Sequence, residues 1–187
     1  MKKTAVEILL VKAEMKGLPE KRLLISRNLG CVDLIWPKSG TAKKSAAREF
    51  VYRKGKCDFQ DEIWAKRCIF REEIDDHCGI AVSITEPVTL QKIRKILQVT
   101  AKYALKQSGD VVAGFAIGYG DIASAPFDAI ASMVAEKEAP KAIAQGIVDF
   151  NDMPESGKAV TVTIPLKRPK IFDREIGSLT LEIRNVG

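Results

Sequence analysis

The stretch that decides the fold is FQDEIWAKRCIFREEIDDHCGIAVSI, residues 59–84. Alternate positions in its second half are occupied by Cys78, Ile80, Val82 and Ile84. One side of its first half, taken as an extended segment, holds Trp64, Lys66, Cys68 and Phe70. The polar run 75–77 fits a turn between the two halves. Period-two alternation bounded by a turn is typical of a half-buried antiparallel pair of strands. We therefore predict such a pair here, with the rest of the chain packed on it.

The bulk composition is that of one ordinary globular domain. The chain has 187 residues, of which 46% are hydrophobic and 29% charged, enough to bury a core. The opening run MKKTAVEILLVKAE is interrupted by Glu7 and alternates, so it predicts a strand rather than a signal peptide. No stretch approaches the roughly 20 apolar residues of a membrane span. We therefore expect a cytoplasmic protein whose four cysteines are reduced and at least half-buried.

The positive charge is concentrated in the first third of the chain. The formal net charge is +6. Residues 1–60 hold 14 Lys and Arg against 6 Asp and Glu, whereas the remainder holds 16 against 18. A basic part on a nearly neutral body indicates an anionic partner, namely lipid headgroups, nucleic acid or an acidic protein face. The alternative is a solvated basic surface that keeps the protein soluble.

Further strands are predicted before the opening stretch. Short apolar or alternating segments are separated there by glycine, proline or polar turns. These segments cover residues 4–14, 22–26, 31–36, 50–54 and 57–59. Residues 27–30 are predicted as a turn, and residues 37–49 as a polar, basic loop.

The pattern becomes helical after Pro87 and returns to strands near the end of the chain. A helical apolar stripe over residues 88–107 consists of Leu90, Ile93, Leu97, Thr100 and Ala104. The glycine-rich segment 110–121 predicts a strand, and Ser124 caps a second predicted helix. The closing strands are expected at residues 144–150, 159–166 and 177–186. Residues 151–157 are expected to form a loop, and residues 167–175 a polar crossover.

Several segments together resemble a C2 domain, most closely the N-terminal C2 type of eukaryotic trafficking and cytoskeletal adaptors. They are VEILLVKAEMKGLP, RLLISRN, FVYRKGKCDF, QDEIWAKRCIF and CGIAVSITE, followed later by AQGIVDFNDMPESGKAVTVTIPLKR and IGSLTLEIRN. The resemblance covers residues 4–86 and 143–186. It implies an all-β, antiparallel C2-like β-sandwich of eight strands. Residues 1–187 would form a single domain with an inserted two-helix segment at about 88–142.

The resemblance also bears on calcium. Many C2 domains bind calcium through paired aspartates in two loops at one end. The matching loops here are Gly17–Lys21 and Glu86–Val88, which lack those aspartates. We therefore expect docking without calcium, and neither a metal nor any other cofactor.

One basic stretch is the candidate for binding lipid or another anion. It consists of Lys38, Lys43, Lys44, Arg48, Arg53, Lys54 and Lys56. Each Lys or Arg near an anionic membrane contributes about 1 kcal/mol, so half of these residues would give salt-sensitive binding. The alternative is a solvated loop.

The predicted helix 88–107 is a second candidate surface. It carries five cations and no acidic residue, and its candidate partner-binding residues are Lys92, Lys95 and Lys102. A basic amphipathic helix can lie in a membrane interface. It can also dock its apolar stripe on the sandwich, which the absence of Trp and Phe anchors favours.

No catalytic or metal-binding constellation is predicted. The cysteines and His77 lack the C-x-x-C spacing of a structural zinc site. Neighbours on a strand point to opposite faces, so His77 and Cys78 would not face each other as base and nucleophile. The glycine-rich segment lacks the GK[ST] of a phosphate loop. We therefore expect no enzyme.

The sequence thus predicts a calcium-independent adaptor module that docks on an anionic membrane surface or on a protein partner. It would reside in the cytoplasm or peripherally on a membrane. The alternative is a structural or assembly protein that makes homo-oligomeric or scaffold contacts through the helical insertion and the sheet edges. Nucleic acid is not expected as the partner, because a single-strand binder interleaves exposed aromatic residues with its cations.

Overall fold

The computed structural model describes residues 3–16, 25–36, 42–75, 77–89, 91, 141–169 and 171–187. Of the predicted helix 88–107, only residues 88, 89 and 91 are among them. The remainder of that helix, with Lys92, Lys95 and Lys102, lies outside the described residues. The strand predicted over residues 110–121 and the helix predicted from Ser124 also lie outside them.

The described chain forms nine strands and one short helix. In chain order these are β1 Thr4–Met15, β2 Ile25–Trp36, β3 Ala42–Arg53, β4 Lys56–Asp58, α1 Trp64–Arg67, β5 Cys68–Ile74, β6 Cys78–Pro87, β7 Ala142–Phe150, β8 Ala159–Arg168 and β9 Ile171–Asn185. Every pairing among these strands is antiparallel. The prediction of an all-β, antiparallel fold is confirmed.

The strands form two facing layers joined at narrow junctions. One layer has the order β3-β2-β6-β7 and the other the order β8-β9-β1-β5. The layers meet at one side through the single residue pair Gln145–Lys167. Towards the other side, β4 pairs with β1 and also continues from β3 through Arg53–Lys56. The result is a flattened, ring-like sandwich.

The core lies between the two layers and follows the alternation of the strands. Its central members are 2% exposed or less and include Val6, Ile8, Leu10, Val32, Leu34, Ile80, Val82, Ile84, Leu179, Leu181 and Ile183. Burial of each such side chain contributes about 1.5–3 kcal/mol to folding. Cys31, Cys57, Cys68 and Cys78 are free and buried, as expected.

The predicted pairing within residues 59–84 is wrong. β5 pairs with β1, whereas β6 pairs with β2 and β7, so the two strands belong to opposite layers. Alternation of apolar and polar residues indicates that one face of a strand is buried, but it does not indicate which strand is its neighbour in the sheet. The end of β5 and the start of β6 therefore lie in different layers and do not form a hairpin.

The extended conformation predicted around Trp64 is also wrong. Residues 64–67 form helix α1, in which the Lys66 N–H donates to the Ile63 carbonyl at 2.9 Å. Ile63 and Trp64 are exposed by 67% and 42%, so no apolar face of an extended segment is buried here. The side chain of Arg48 donates to the Lys66 carbonyl, which fixes the helical turn from outside.

Three predicted irregular segments are strands instead. The predicted turn 27–30 lies inside β2, most of the predicted loop 37–49 belongs to β3, and the predicted crossover 167–175 is a β8–β9 hairpin. Twelve residue pairs join β2 and β3, and this pairing overrides the weak strand propensity of lysine and alanine. Gly30 is required within β2, because a Cβ there would lie 2.6 Å from the Phe50 ring.

Candidate functional site

One end of the sandwich gathers several strand ends, and we call it the basic end. Met15 at the end of β1 pairs with Gly177 of β9. The Met15 N–H also donates to the Gly55 carbonyl of the β3–β4 hairpin at 2.8 Å. On the other layer, Ile25 at the start of β2 pairs with Arg53. The β6–β7 connection begins and ends at this same end, where the Glu86 N–H donates to the Lys141 carbonyl at 2.7 Å.

Seven exposed cations line the basic end. They are Lys16, Arg53, Lys54, Lys56, Lys141, Arg168 and Arg174. None of the seven forms an ion pair with another residue of the described ranges. The acidic side chains described nearby are Glu14, which lies opposite Lys56 and forms an ion pair with Lys12 at 3.5 Å, the half-buried Glu86 and the exposed Glu175. Cations without acidic partners sum to a positive potential that an external anion can use.

The β3–β4 hairpin holds three of these cations on a rigid turn. Its central residues, Lys54 and Gly55, have φ angles of 50° and 76°. Positive φ at both central residues is the geometry of a type I′ turn, which matches the twist of the strands. A Cβ on Gly55 would lie 2.5 Å from the Met15 carbonyl oxygen, so the turn packs directly on the end of β1. Arg53, Lys54 and Lys56 therefore project from a fixed base.

Two of the predicted anion-binding residues form ion pairs within the protein. Lys44 Nζ lies 2.5 Å from Glu72 Oε1 of β5, and Arg48 lies 2.7 Å from Glu62 Oε2. The Arg48 guanidinium also stacks over the Phe59 ring, 4.8 Å from its centroid. β3 and β5 are not paired with each other. The Lys44–Glu72 contact bridges the gap between them, and the contacts of Arg48 join β3 to the segment before β5. We call this gap the open side of the sandwich.

The predicted basic stretch is thus divided by the structure. Lys38 lies outside the described residues, and Lys43 is described only as the backbone partner of Ile35. Of the predicted residues, the structure brings Arg53, Lys54 and Lys56 together at the basic end. Residues that the sequence reasoning missed join them there: Lys16, Lys141, Arg168 and Arg174. Each of these four residues lies at or near a strand end. Their positions predict a common surface only when it is known which strand ends meet at the same end of the sandwich.

The thiols are placed for packing. Burial raises the pKa of Cys57, of Cys68 and of Cys78 to about 12, and it raises that of Cys31 further. At neutral pH these groups are therefore protonated and poor nucleophiles. No group of three or more His, Cys, Asp or Glu side chains suited to a metal ion occurs within the described ranges.

The described part of the chain contains no helix that is both long and apolar enough to cross a membrane.

No protein-family model matches the sequence, and no curated protein matches it. Among solved structures, a C2 domain of plant Extended Synaptotagmin 1 is similar. It is 13% identical in sequence, with 98% of this chain and 96% of that chain covered and a TM-score of 0.42. The C2-like resemblance of the sequence is thus accompanied by a weak structural match to a C2 domain, which by itself says nothing about function.

Proposed function

We propose that this protein is a non-enzymatic, calcium-independent docking module that binds anionic membrane surfaces through its basic end. The observation that carries the proposal is the set of seven exposed cations that form no ion pair within the described residues. They come from five places along the chain, namely the end of β1, the β3–β4 hairpin, the residue before β7, the end of β8 and the first residues of β9.

The number of cations is sufficient for measurable binding. Each Lys or Arg close to an anionic bilayer contributes about 1 kcal/mol. Contact by three or four of the seven would raise the affinity by roughly two to three orders of magnitude. Because the Debye length is about 8 Å at physiological ionic strength, added salt should weaken this binding strongly.

An apolar residue among the cations favours a membrane over a soluble polyanion. Ile25 is 46% exposed and pairs with Arg53 on the outer face of its layer. An apolar side chain beside cations can enter the boundary between headgroups and acyl chains. Trp64, the exposed large aromatic side chain of the described residues, lies on α1 away from this end. Aromatic stacking of nucleic-acid bases therefore has no support here.

The residues at the basic end also support binding without calcium. Calcium sites take six to eight oxygen ligands, usually with several carboxylates. Near the end of β6, Glu86 offers one carboxylate, whose Oε1 accepts the Lys141 N–H at 3.3 Å.

The test is co-sedimentation with vesicles of phosphatidylserine and phosphatidylcholine, compared with phosphatidylcholine alone, with and without calcium and at low and physiological salt. The variant R53E/K54E/K56E should bind the anionic vesicles at least tenfold more weakly than the wild type. The matched control K3E/K66E/K158E changes the net charge equally, with exposed cations outside the basic end, and should bind better than the first variant.

Equal binding by the two triple variants would show that net charge alone acts, and it would refute a specific basic end. Failure of the wild-type protein to bind anionic vesicles at low salt would refute the membrane proposal. An acidic protein surface would then be the partner to look for.

A further inference from the structure

Strand β5 has one edge without a partner in the described part of the chain. It stands last in the strand order and pairs with β1 along its other edge. The backbone N–H and C=O groups of such an edge can pair with another strand. Edge strands are commonly protected by charged residues, and β5 carries Arg71, Glu72 and Glu73 in a row.

The order of those charges makes the edge complementary to itself. We propose that two copies of this protein associate by antiparallel pairing of their β5 edges, with Glu72 opposite Glu72 of the second copy. In this register, Arg71 lies opposite Glu73 of the second copy, and Glu73 lies opposite its Arg71. Directly opposed residues share a face of the sheet, so each pair brings opposite charges together.

The side chains concerned are available for this contact. The Arg71 side chain is 63% exposed, and its Nε forms a 3.6 Å ion pair with Glu7 Oε1, which leaves the outward side of the guanidinium accessible. Glu73 is exposed. Both stand on the outer face of the layer, because Arg71 pairs with Glu7 and Glu73 with Ala5, whereas Ile8 and its partner Phe70 belong to the core.

The central pair of like charges is neutralised within each copy. Glu72 Oε1 lies 2.5 Å from Lys44 Nζ of the same copy. Each of the two Glu72 side chains at the two-fold axis would therefore be part of an ion pair. On the same face, Phe70 would lie opposite Ile74 of the second copy. Both residues are buried in the core, with exposures of 4% and 0%, so their backbone rather than their side chains would form this contact.

The symmetry of the pairing limits the assembly to a dimer. The same edge is used by both copies around a two-fold axis, and such an interface closes on itself. In this register residues 70–74 of β5 pair in each copy. Such a contact is small, so we expect a dissociation constant on the order of 10 µM or weaker.

Antiparallel pairing also orients the two copies. The basic ends would point in opposite directions, because the two-fold axis reverses the strand direction. If the proposed function holds, the dimer could therefore contact two anionic surfaces at once. This consequence rests on the proposed function, whereas the dimer itself does not.

The experiment is sedimentation equilibrium of the full chain without lipid, from micromolar to submillimolar concentrations. The wild type should shift from monomer to dimer mass. The variant E73R places arginines opposite arginines at two symmetric positions and should weaken the dimer roughly tenfold or more. The control E155R makes the same charge change at a side chain that is 78% exposed and away from β5, and should leave the dimer unchanged.

Charge exchange tests the register itself. The double variant R71E/E73R should dimerise like the wild type, and an equimolar mixture of the single variants R71E and E73R should form a heterodimer. A wild type that stays monomeric throughout, or an E73R variant that dimerises as strongly as E155R, would overturn the proposal. Urea unfolding of each variant identifies any that fails to fold, and the comparison of E73R with E155R does not depend on R71E.

Discussion

The basic end and the open side use cations from one stretch of sequence in opposite ways. At the basic end, Arg53, Lys54 and Lys56 are exposed and form no ion pair within the described residues. At the open side, Lys44 and Arg48 point between the layers and bind Glu72 and Glu62. The Arg48 side chain is 10% exposed, so an external anion cannot reach it easily.

The register of β3 explains this difference. Lys44 and Arg48 lie opposite Leu34 and Gly30, at core-facing positions of the pair β2–β3. Because β3 is an edge strand there, their side chains extend past the core and reach the second layer. Arg53 lies where the strand ends, and the turn that follows faces water. The role of a cation in this stretch therefore depends on the direction of its side chain and not on local charge density.

The largest effect that would test this comparison is expected from Arg48→Met. The substitution removes the ion pair with Glu62, the hydrogen bond to the Lys66 carbonyl and the stacking on Phe59. The part-buried Lys66 carbonyl would be left without its hydrogen-bond donor. We therefore expect the free energy of unfolding to fall by about 2 kcal/mol. Urea denaturation followed by circular dichroism measures it.

Arg53→Met is the matched control for Arg48. Arg53 is exposed, so its replacement should change the free energy of unfolding by less than about 0.5 kcal/mol. Similar losses in the two variants would contradict the division between the basic end and the open side.

A smaller effect is expected from Lys44→Met. The Lys44 and Glu72 side chains are 31% and 16% exposed, so their ion pair should contribute about 1 kcal/mol. A double-mutant cycle with Glu72→Gln isolates that coupling. Vesicle binding should be the same as for the wild type. A clear loss of vesicle binding would show that Lys44 contributes to anion binding, as the sequence predicts.

The sequence was sufficient for the fold class and for several strands. Alternation located β6, β8 and most of β9, because each buries one face in the core, and apolar content located β1, whose centre is buried on both faces. It failed in β2, where Asn28 and Gly30 have the composition of a turn. In the structure, the Asn28 amide donates to the Thr85 carbonyl at 2.6 Å, and Gly30 makes room for Phe50. Both explanations depend on residues distant in sequence.

The candidate site was less predictable than the fold. Lysine and arginine counts identified the stretch that ends in the β3–β4 hairpin. They could not show that Lys44 and Arg48 face the second layer, since that depends on the register between β2 and β3. They also could not associate Lys16 with Lys141 or Arg168, because strand ends meet only through long-range pairing.

The smallest expected effect comes from Lys54→Asn, and its two consequences have opposite signs. Lys54 has a φ of 50°, a conformation that asparagine adopts at lower cost than lysine in a type I′ turn. We expect the free energy of unfolding to rise by about 0.5 kcal/mol. The lost cation should at the same time weaken binding to anionic vesicles about fivefold.

Arg53→Asn removes one charge from the same hairpin at a strand position and should bring no such stabilisation. Urea denaturation and vesicle co-sedimentation of the two variants therefore separate the contribution of the turn from that of the charge. If Lys54→Asn stabilised the protein without weakening vesicle binding, the tip of the hairpin would lie outside the anion-binding surface. If Lys54→Asn lowered both the free energy of unfolding and the affinity for anionic vesicles, Lys54 would stabilise the fold, as Lys44 and Arg48 do. The group of cations that stabilise the fold would then include the residue at the turn.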